Sequence, residues 1–584
     1  MTANPQVESA SPAKAYPKWA YGLVFALAFG LAIAFAAYTD SAWEDWYITF
    51  RASQNLAEGN GLVFTEGQRV HTFTSPLGVL IPAGLSYLVG SEAERLTLWL
   101  YRIINALVLG ATAVLLMRMS ARLALGYWPM VLLVGLFLLD SKTLAFSING
   151  METAYLVFFG AMSLYCLYGQ MQRRFLWLGL AWAGLMWTRP DGCIYVAAVG
   201  VGWLLFAPVL SDVRSRAGYL LLFLKAGLVT TALYLPWLLW AWSYYGTPVP
   251  NTVVAKGISF AEGGSEELSR LPRILYNAAI FPYIAAFKGY AYDTIFVEPQ
   301  FPTFYKGEFY WKEIVSRLIV LWATFGWVVP WVFSRAARAA SFAALLGMMY
   351  FALIMPIIYP WYIPGVMMLI IWAAAVLLHE ALVFARERLS PTRFRLCANG
   401  GAVAVVVLLL FSLSVLVNTT RMMEVQQRVI ERGLREPMAL WLKENSQTPQ
   451  DTVFIECLGY SGFYSGLKFY DFPGLSSPEM IAARKKLGTD NWARLIAYLK
   501  PDWVVLRDTE VEKVNGDDPA LLSARYQEVK RFDRSEEIAS IEWLPIRKSH
   551  QYDDVFIVFA RQDGPGSGAG APTPARPGGS TLAD

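Results

Sequence analysis

Three carboxylates, Asp40, Glu44 and Asp45, stand in Asp40-Ser-Ala-Trp-Glu-Asp-Trp-Tyr-Ile-Thr-Phe-Arg51, where the first long apolar run, residues 19–39, ends. A carboxylate beside a cation at a water–lipid boundary suits general-base chemistry on a hydroxyl, with the cation meeting negative charge on the leaving group. The spacing predicts a helix on which Glu44, Tyr47, Ile48 and Arg51 share one face, with Asp45 and Thr49 on the neighbouring one. The competing reading is a solvated helix cap with an interfacial Trp/Tyr belt.

Other chemistry-bearing residues fall at the ends of apolar runs. His71, one of three histidines, lies in a glycine-containing loop and reads either as a donor to a phosphate or sugar or as a solvent-exposed loop histidine. Thr74-Ser75-Pro76 starts a helix with hydroxyl caps and proline in the first turn, and the same hydroxyls suit substrate binding. Glu152 interrupts two apolar runs, and Arg189 with Asp191 does the same in Thr188-Arg-Pro-Asp-Gly192. Charges placed there must be paired or face water, so a helix-end salt bridge stands beside a binding role. Tyr244-Tyr-Gly-Thr-Pro-Val-Pro-Asn-Thr-Val-Val-Ala-Lys256 brings Tyr245, Asn251 and Lys256 together. Its lysine suits a phosphate and its tyrosines a sugar ring or an aromatic belt. Tyr359-Pro-Trp-Tyr-Ile-Pro364 is a second proline-aromatic break. No glycine-rich nucleotide loop, zinc spacing or Ser/His/Asp order is present.

The elements that must position these residues are membrane helices. Of 584 residues 56% are hydrophobic and 16% charged, far from the soluble average of about one quarter charged. The chain therefore reads as a polytopic α-helical membrane protein. Net charge is +4, with basic residues scattered through short gaps, so nucleic acid is not an expected partner. Four cysteines are widely spaced, which indicates neither a metal site nor a disulfide framework. Apolar runs near 19–39, 97–117, 126–146, 152–170, 174–188, 192–210, 218–241, 316–334, 340–358, 362–385 and 398–417 give about 11 transmembrane helices. With residues 1–18 cytoplasmic, arginines fall in every inner loop, as the positive-inside rule requires. Loops 40–96 and 242–315 are then external, and residues 76–89 form a helix on the outer surface. Residues 418–562 carry alternating strand and helix patterns, an α/β domain outside the membrane, and 563–584 is a disordered tail. Charged residues gathered outside, without a nucleotide site, point to a lipid-borne substrate rather than a cytoplasmic nucleotide sugar.

Glu44-Asp-Trp-Tyr-Ile-Thr-Phe-Arg51 resembles the Asp-Asp-Ala-Tyr-Ile-x-x-Arg of the C-superfamily (GT-C) integral-membrane glycosyltransferases, and within them the terminal arabinofuranosyltransferases of mycobacterial cell walls. The resemblance extends through Asn55-Leu-x-x-Gly-x-Gly-Leu-Val-Phe64, Thr74-Ser-Pro76, Gly150-Met-Glu-Thr153, Thr188-Arg-Pro-Asp-Gly192, Tyr245 to Lys256, Gly459-Tyr-Ser-Gly462 and Asp471-x-x-Gly-Leu475. It implies a GT-C-like catalytic membrane domain over 19–417 and a periplasmic domain over 418–562 that helps to hold the acceptor. It also implies a polyprenyl-phosphate sugar donor, a cell-envelope glycan or other acceptor, and residence in the bacterial inner membrane with the site on the periplasmic side. Carried over, Asp45 is the base. Glu44, where the family has aspartate, is its orienting partner, or binds with it a divalent cation such as magnesium, manganese or calcium. No nucleotide or organic cofactor is implied. Arg51, His71, Thr74, Ser75, Glu152, Arg189, Asp191, Tyr245, Asn251 and Lys256 then bind donor phosphate or sugar. Arabinofuranose is the implied sugar, with mannose as the alternative. A flippase for lipid-linked glycans is the competing function and predicts charges along span interiors; a structural assembly subunit with a sensing external domain is a third.

Overall fold

The computed structural model describes residues 16–168, 171–208, 213, 215–261, 295–299, 310–351, 359–545 and 547–562. The expected tail at 563–584 and residues 262–294 of the long external loop lie outside them. The runs placed by hydropathy are helical: α1 (Lys18–Thr39), α4 (Glu94–Arg122), α5 (Tyr127–Leu139), α6 (Ser141–Ile148), α7 (Thr153–Tyr168), α8 (Arg174–Thr188), α9 (Gly192–Phe206), α10 (Arg216–Tyr245), α12 (Tyr310–Phe325), α13 (Arg335–Met349), α14 (Ile363–Arg388) and α15 (Pro391–Asn445). Among the described residues five helices are long and apolar enough to cross a membrane, or six when one bent pair counts as a single span. The chain is a multi-pass membrane protein. Leucines stay exposed along α10, among them Leu220, Leu224 and Leu228, as a helix does when lipid covers its surface.

The single span expected at 126–146 is instead two helices meeting at 42°. Asp140 breaks the run by accepting a hydrogen bond from the Thr143 N–H at 3.0 Å, which caps α6 and ends α5. Lys142 just beyond donates to the Ile295 carbonyl at 3.1 Å and to that of Val297.

Between the first two spans, α2 (Glu44–Ala57) and α3 (Pro76–Val89) pack together. The chain leaves α1 through Asp40 at φ 43°, held by Arg102 at 2.9 Å and by Arg432. Asp40 is thus a tied helix end. Glu44 and Asp45 fill the first turn of α2, where the helix dipole favours carboxylates. Ser75 caps α3, accepting from the Gly78 N–H at 2.8 Å with Pro76 behind it, so the capping reading of this motif holds.

The composition changes at residue 418, but the helix does not: α15 runs from the membrane into the C-terminal domain. Within it Gln426–Arg435 winds as a π-helix, with Gln427, Glu431 and Arg435 buried. The domain is built on a five-stranded sheet of order β2-β1-β3-β5-β4, comprising β1 (Thr452–Ile455), β2 (Lys468–Asp471), β3 (Trp503–Leu506), β4 (Tyr526–Asp533) and β5 (Val555–Arg561). The first three strands are parallel and the last two antiparallel. Side chains alternate across the sheet. Phe454, Val504 and Ile557 pack with α17 (Pro478–Leu487) and α18 (Trp492–Leu499). Val453, Ile455, Val505 and Val558 pack with Leu434, Met438 and Leu442 of α15, and with Ile48 and Phe64 of the first loop. That second layer fixes the domain onto α2.

Candidate active site

The helical face expected for α2 exists, and it is a docking face. Glu44, Tyr47, Ile48 and Arg51 all meet the C-terminal domain through α16 (Gly459–Ser465) and its surroundings. Glu44 accepts from the Gly459 N–H. A Cβ on Gly459 would collide with the Glu44 carbonyl oxygen, so only glycine admits this approach. Tyr47 packs against Tyr460, Phe463 and Tyr464, and its hydroxyl donates to Glu94. Arg51 donates to the carbonyls of Gly462 at 2.6 Å, Gly466 at 3.0 Å and Leu467 at 3.3 Å, and stacks over Phe64 at 4.4 Å. Its burial lowers its pKa to about 10. Both Nη atoms are spent on these carbonyls, so where a donor-phosphate role was expected Arg51 clasps the end of α16.

Asp45, on the neighbouring face, is half-buried at the junction. The Ser147–Glu152 turn reaches it because the Trp43 N–H donates to the Asn149 carbonyl at 2.8 Å. Gly150, at φ +100°, lets Trp46 lie where a side chain would be. Glu152 then pairs with Arg189 at 3.3 Å, and Arg189 forks onto Asp191 at 2.9 and 3.3 Å. The Arg189 guanidinium also lies 4.2 Å from the Tyr362 ring centre. The helix-end salt bridge is therefore real, and it frames the site.

Lys256 is carried by α11 (Asn251–Ala261), which the C-terminal domain holds at two points. Asn251 Nδ2 donates to the carbonyls of Gly474 at 2.8 Å and Leu475 at 3.0 Å. Arg484 donates to the Ala255 carbonyl at 3.0 Å. The Gly474–Leu475 turn is itself shaped by Asp471, which accepts from the Ser476 N–H at 2.9 Å and from the Leu475 N–H. Asn251 is thus an anchor, and what it anchors is Lys256. The ammonium sits 4.9 Å from the Tyr359 ring centre. Burial works to lower the Lys256 pKa, but Tyr362, Asp45 and Tyr359 outweigh it and keep the side chain cationic.

His71 is not an exposed loop residue, and its buried Nδ1 has no hydrogen-bond partner among the described residues. It is 5% exposed and stacked on Tyr245 at 4.5 Å, and burial lowers its pKa to about 4. A neutral imidazole in an aromatic cluster cannot attract a phosphate as a cation. Tyr245 is committed likewise, its hydroxyl donating to the Leu62 carbonyl at 2.7 Å. Ser75 is a cap, and Thr74 beside it is half-buried.

The groups left facing one another are Glu44, Asp45, Lys256 and the Arg189 cluster, walled by Tyr359 and Tyr362. Burial raises the pKa of both carboxyls. For Glu44 the charge of Asp45 adds to the rise, and its pKa stands well above the ordinary glutamate value. Asp45 is raised less, because Lys256, a hydrogen bond with Glu44 and Arg189 act against burial. The two carboxyls therefore titrate as a coupled pair, with Lys256 and Arg189 favouring the charged form of Asp45. Two residues not picked out from the sequence act here. Glu456 adds negative charge beside both carboxyls, and Arg435 opposes it at Glu44. Both lie in the soluble half of the chain, where no spacing ties them to residue 45. Among the described residues no three His, Cys, Asp or Glu side chains converge to hold a metal. Two carboxyls, one bound to a backbone N–H, fall short of the roughly six to eight oxygens a calcium ion takes, whereas magnesium is held by one or two carboxylates with substrate phosphate and water, and Glu44 and Asp45 would hold such an ion.

Residues 422–556 match the model of a domain of unknown function, DUF8728. The terminal beta-(1->2)-arabinofuranosyltransferase of Corynebacterium glutamicum is 27% identical over 255 residues, covering 38% of this chain and 34% of that protein. The match thus spans about a third of the curated relative's length. The crystal structure of ArnT from Cupriavidus metallidurans bound to undecaprenyl phosphate is similar at a TM-score of 0.49 and 12% identity, covering 94% of this chain and 98% of that one. The structure of the arabinofuranosyltransferase AftD from Mycobacteria is similar at a TM-score of 0.43 and 14% identity, covering 94% of this chain and 40% of that one. The match to the Corynebacterium glutamicum protein is to an arabinofuranosyltransferase, the class that the motifs resemble.

Proposed function

We propose that the chain is a membrane glycosyltransferase that moves a sugar, arabinofuranose in our reading, from a polyprenyl-phosphate donor to a cell-envelope glycan on the outer side of the membrane. The observation that carries this is the gathering, at the head of α2, of Asp45 with Lys256 within electrostatic reach, the lysine held there by the Asn251 and Arg484 contacts of its helix. One can take a proton while the other meets a phosphate. In the reaction the acceptor hydroxyl gives its proton to the Asp45 carboxylate as its oxygen attacks the anomeric carbon. The bond from that carbon to the phosphate oxygen breaks, and polyprenyl phosphate leaves with the electron pair, its added charge facing Lys256. Glu44, protonated and fixed by Gly459, orients Asp45. The relative's named activity favours arabinofuranose over mannose.

A flippase reading would draw on the charges at the break of the 126–146 run. Lys142 there is spent on two backbone carbonyls, a strap rather than a path. The test is purified protein given polyprenyl-phosphate donors that differ only in the sugar, with an arabinan oligosaccharide as acceptor. Release of polyprenyl phosphate is expected from the arabinofuranose donor. Release from the mannose donor alone would overturn the sugar assignment, and release from none would overturn the enzyme assignment.

A further inference from the structure

The parallel strands of the C-terminal sheet end toward the membrane domain. Beyond β2 the Asp471 turn holds Asn251, and beyond β1 the chain runs into Gly459 against Glu44. In open parallel sheets ligands bind in the crevice outside the carboxyl ends of the strands, where the strand order reverses. Here β2 pairs with one edge of β1 and β3 with the other, so the reversal lies between β1 and β3. The residues that follow those strands are Glu456 and Arg507, and neither is used in docking the domain.

Arg507 is 3% exposed, and each of its nitrogens has a carboxylate. Nη2 donates to Glu456 at 2.9 Å, Nε to Asp553 at 2.6 Å, and Nη1 to Glu510. Three of its five N–H donors are so occupied, and the surrounding carboxylates repel a phosphate. Glu456 differs from its neighbours: a buried guanidinium fixes one oxygen, yet 44% of its side chain is exposed. Tyr552 lies under the same guanidinium at 4.6 Å and is 37% exposed. An oriented, open carboxylate beside an aromatic face suits a neutral polyhydroxyl ligand, its hydroxyls donating to the carboxylate and its C–H face resting on the ring.

We infer that the crevice between β1 and β3 is the acceptor subsite, where Glu456 accepts hydrogen bonds from glycan hydroxyls and Tyr552 carries a sugar ring. The segment that bears Glu456 continues directly to Gly459, so a glycan held here presents its next hydroxyl to Asp45. The choice of ligand rests on the transferase reading above; the site itself rests on the sheet geometry.

The test uses full-length protein in lipid nanodiscs and a linear arabinofuranose pentasaccharide, with binding followed by calorimetry. Glu456→Ala and Tyr552→Ala each weaken binding by about tenfold or more, and Glu456→Gln, which keeps one carbonyl acceptor, by less. In the release assay the acceptor KM rises by a similar factor in both alanine variants while the donor KM moves by less than about twofold. Loss of binding in Glu456→Ala with a lowered unfolding midpoint would be assigned to the stripped Arg507, and Tyr552→Ala, at the rim, then decides. Wild-type binding in Tyr552→Ala and Glu456→Gln together, or a wild-type protein that does not bind the pentasaccharide, overturns the inference. Binding that depends on Glu456 and Tyr552 in a protein releasing no polyprenyl phosphate would uphold the subsite and overturn the transferase instead.

Discussion

At the scale of single residues the account turns on which carboxyl of the pair holds the proton. Burial and the charge of Asp45 raise the Glu44 pKa well above the ordinary value, and in the proposed mechanism Glu44 works as the neutral acid. Glutamine at this position keeps both the acceptor toward Gly459 and a donor toward Asp45. Glu44→Gln is therefore expected to keep kcat within about tenfold of wild type, whereas loss of a working general base costs roughly 10²–10⁴-fold. A loss in that larger range would make Glu44 the base. Asp45 must be ionised to act, and its pKa lies above the ordinary value of 3.8, so activity falls as pH drops through that raised pKa. The charge of Lys256 holds the Asp45 pKa down. Lys256→Met is expected to move the acid limb of the kcat/KM profile to higher pH as well as to lower the rate. An acid limb that stays in place would separate Lys256 from Asp45.

At the scale of elements, much of what looks like binding chemistry in the sequence proves to be joinery. Arg51→Met leaves three backbone carbonyls without their cationic donor and is expected to cost about 2–4 kcal/mol of stability, read as a lower unfolding midpoint with the donor KM little changed. A large rise in donor KM at an unaltered midpoint would restore the phosphate role. The helical spacing of α2 was legible, as was the Ser75 cap, because both depend on local geometry. The partners of Arg51, Asn251 and Tyr245 were not, since each is a carbonyl supplied by a distant segment, and carbonyls leave no signature in side-chain sequence. The break at Asp140 was hidden by apolar residues on both sides. The strands β1, β3 and β5 could be placed by their apolar runs. β2 and β4 could not: β2 has a charge at each end, Lys468 and Asp471, around only two aromatics, and most of β4 is exposed, with charges where a buried strand would carry apolar side chains.

At the scale of the molecule, one helix, α15, carries the chain from the membrane into the soluble domain, and that domain in turn positions α2 and α11. The candidate site is thus assembled by both parts of the chain, which is why its residues come from positions as far apart as 45, 256 and 456. The outer placement of this assembly is testable with a background lacking Cys193 and Cys397. Cysteine placed at exposed Ser540 should react with an impermeant maleimide on intact cells, and cysteine at exposed Glu387, at the opposite end of α14, should not. The reverse pattern would invert the topology and remove the lipid-borne donor from its side. The central claim, that Asp45 takes the acceptor proton in transfer from a polyprenyl-phosphate sugar, is tested most directly by polyprenyl phosphate release from polyprenyl-phospho-arabinofuranose in wild type and Asp45→Asn. Release by wild type, and its fall by at least about 10²-fold in a variant with an unchanged unfolding midpoint, is the predicted result; turnover that survives in Asp45→Asn would contradict it.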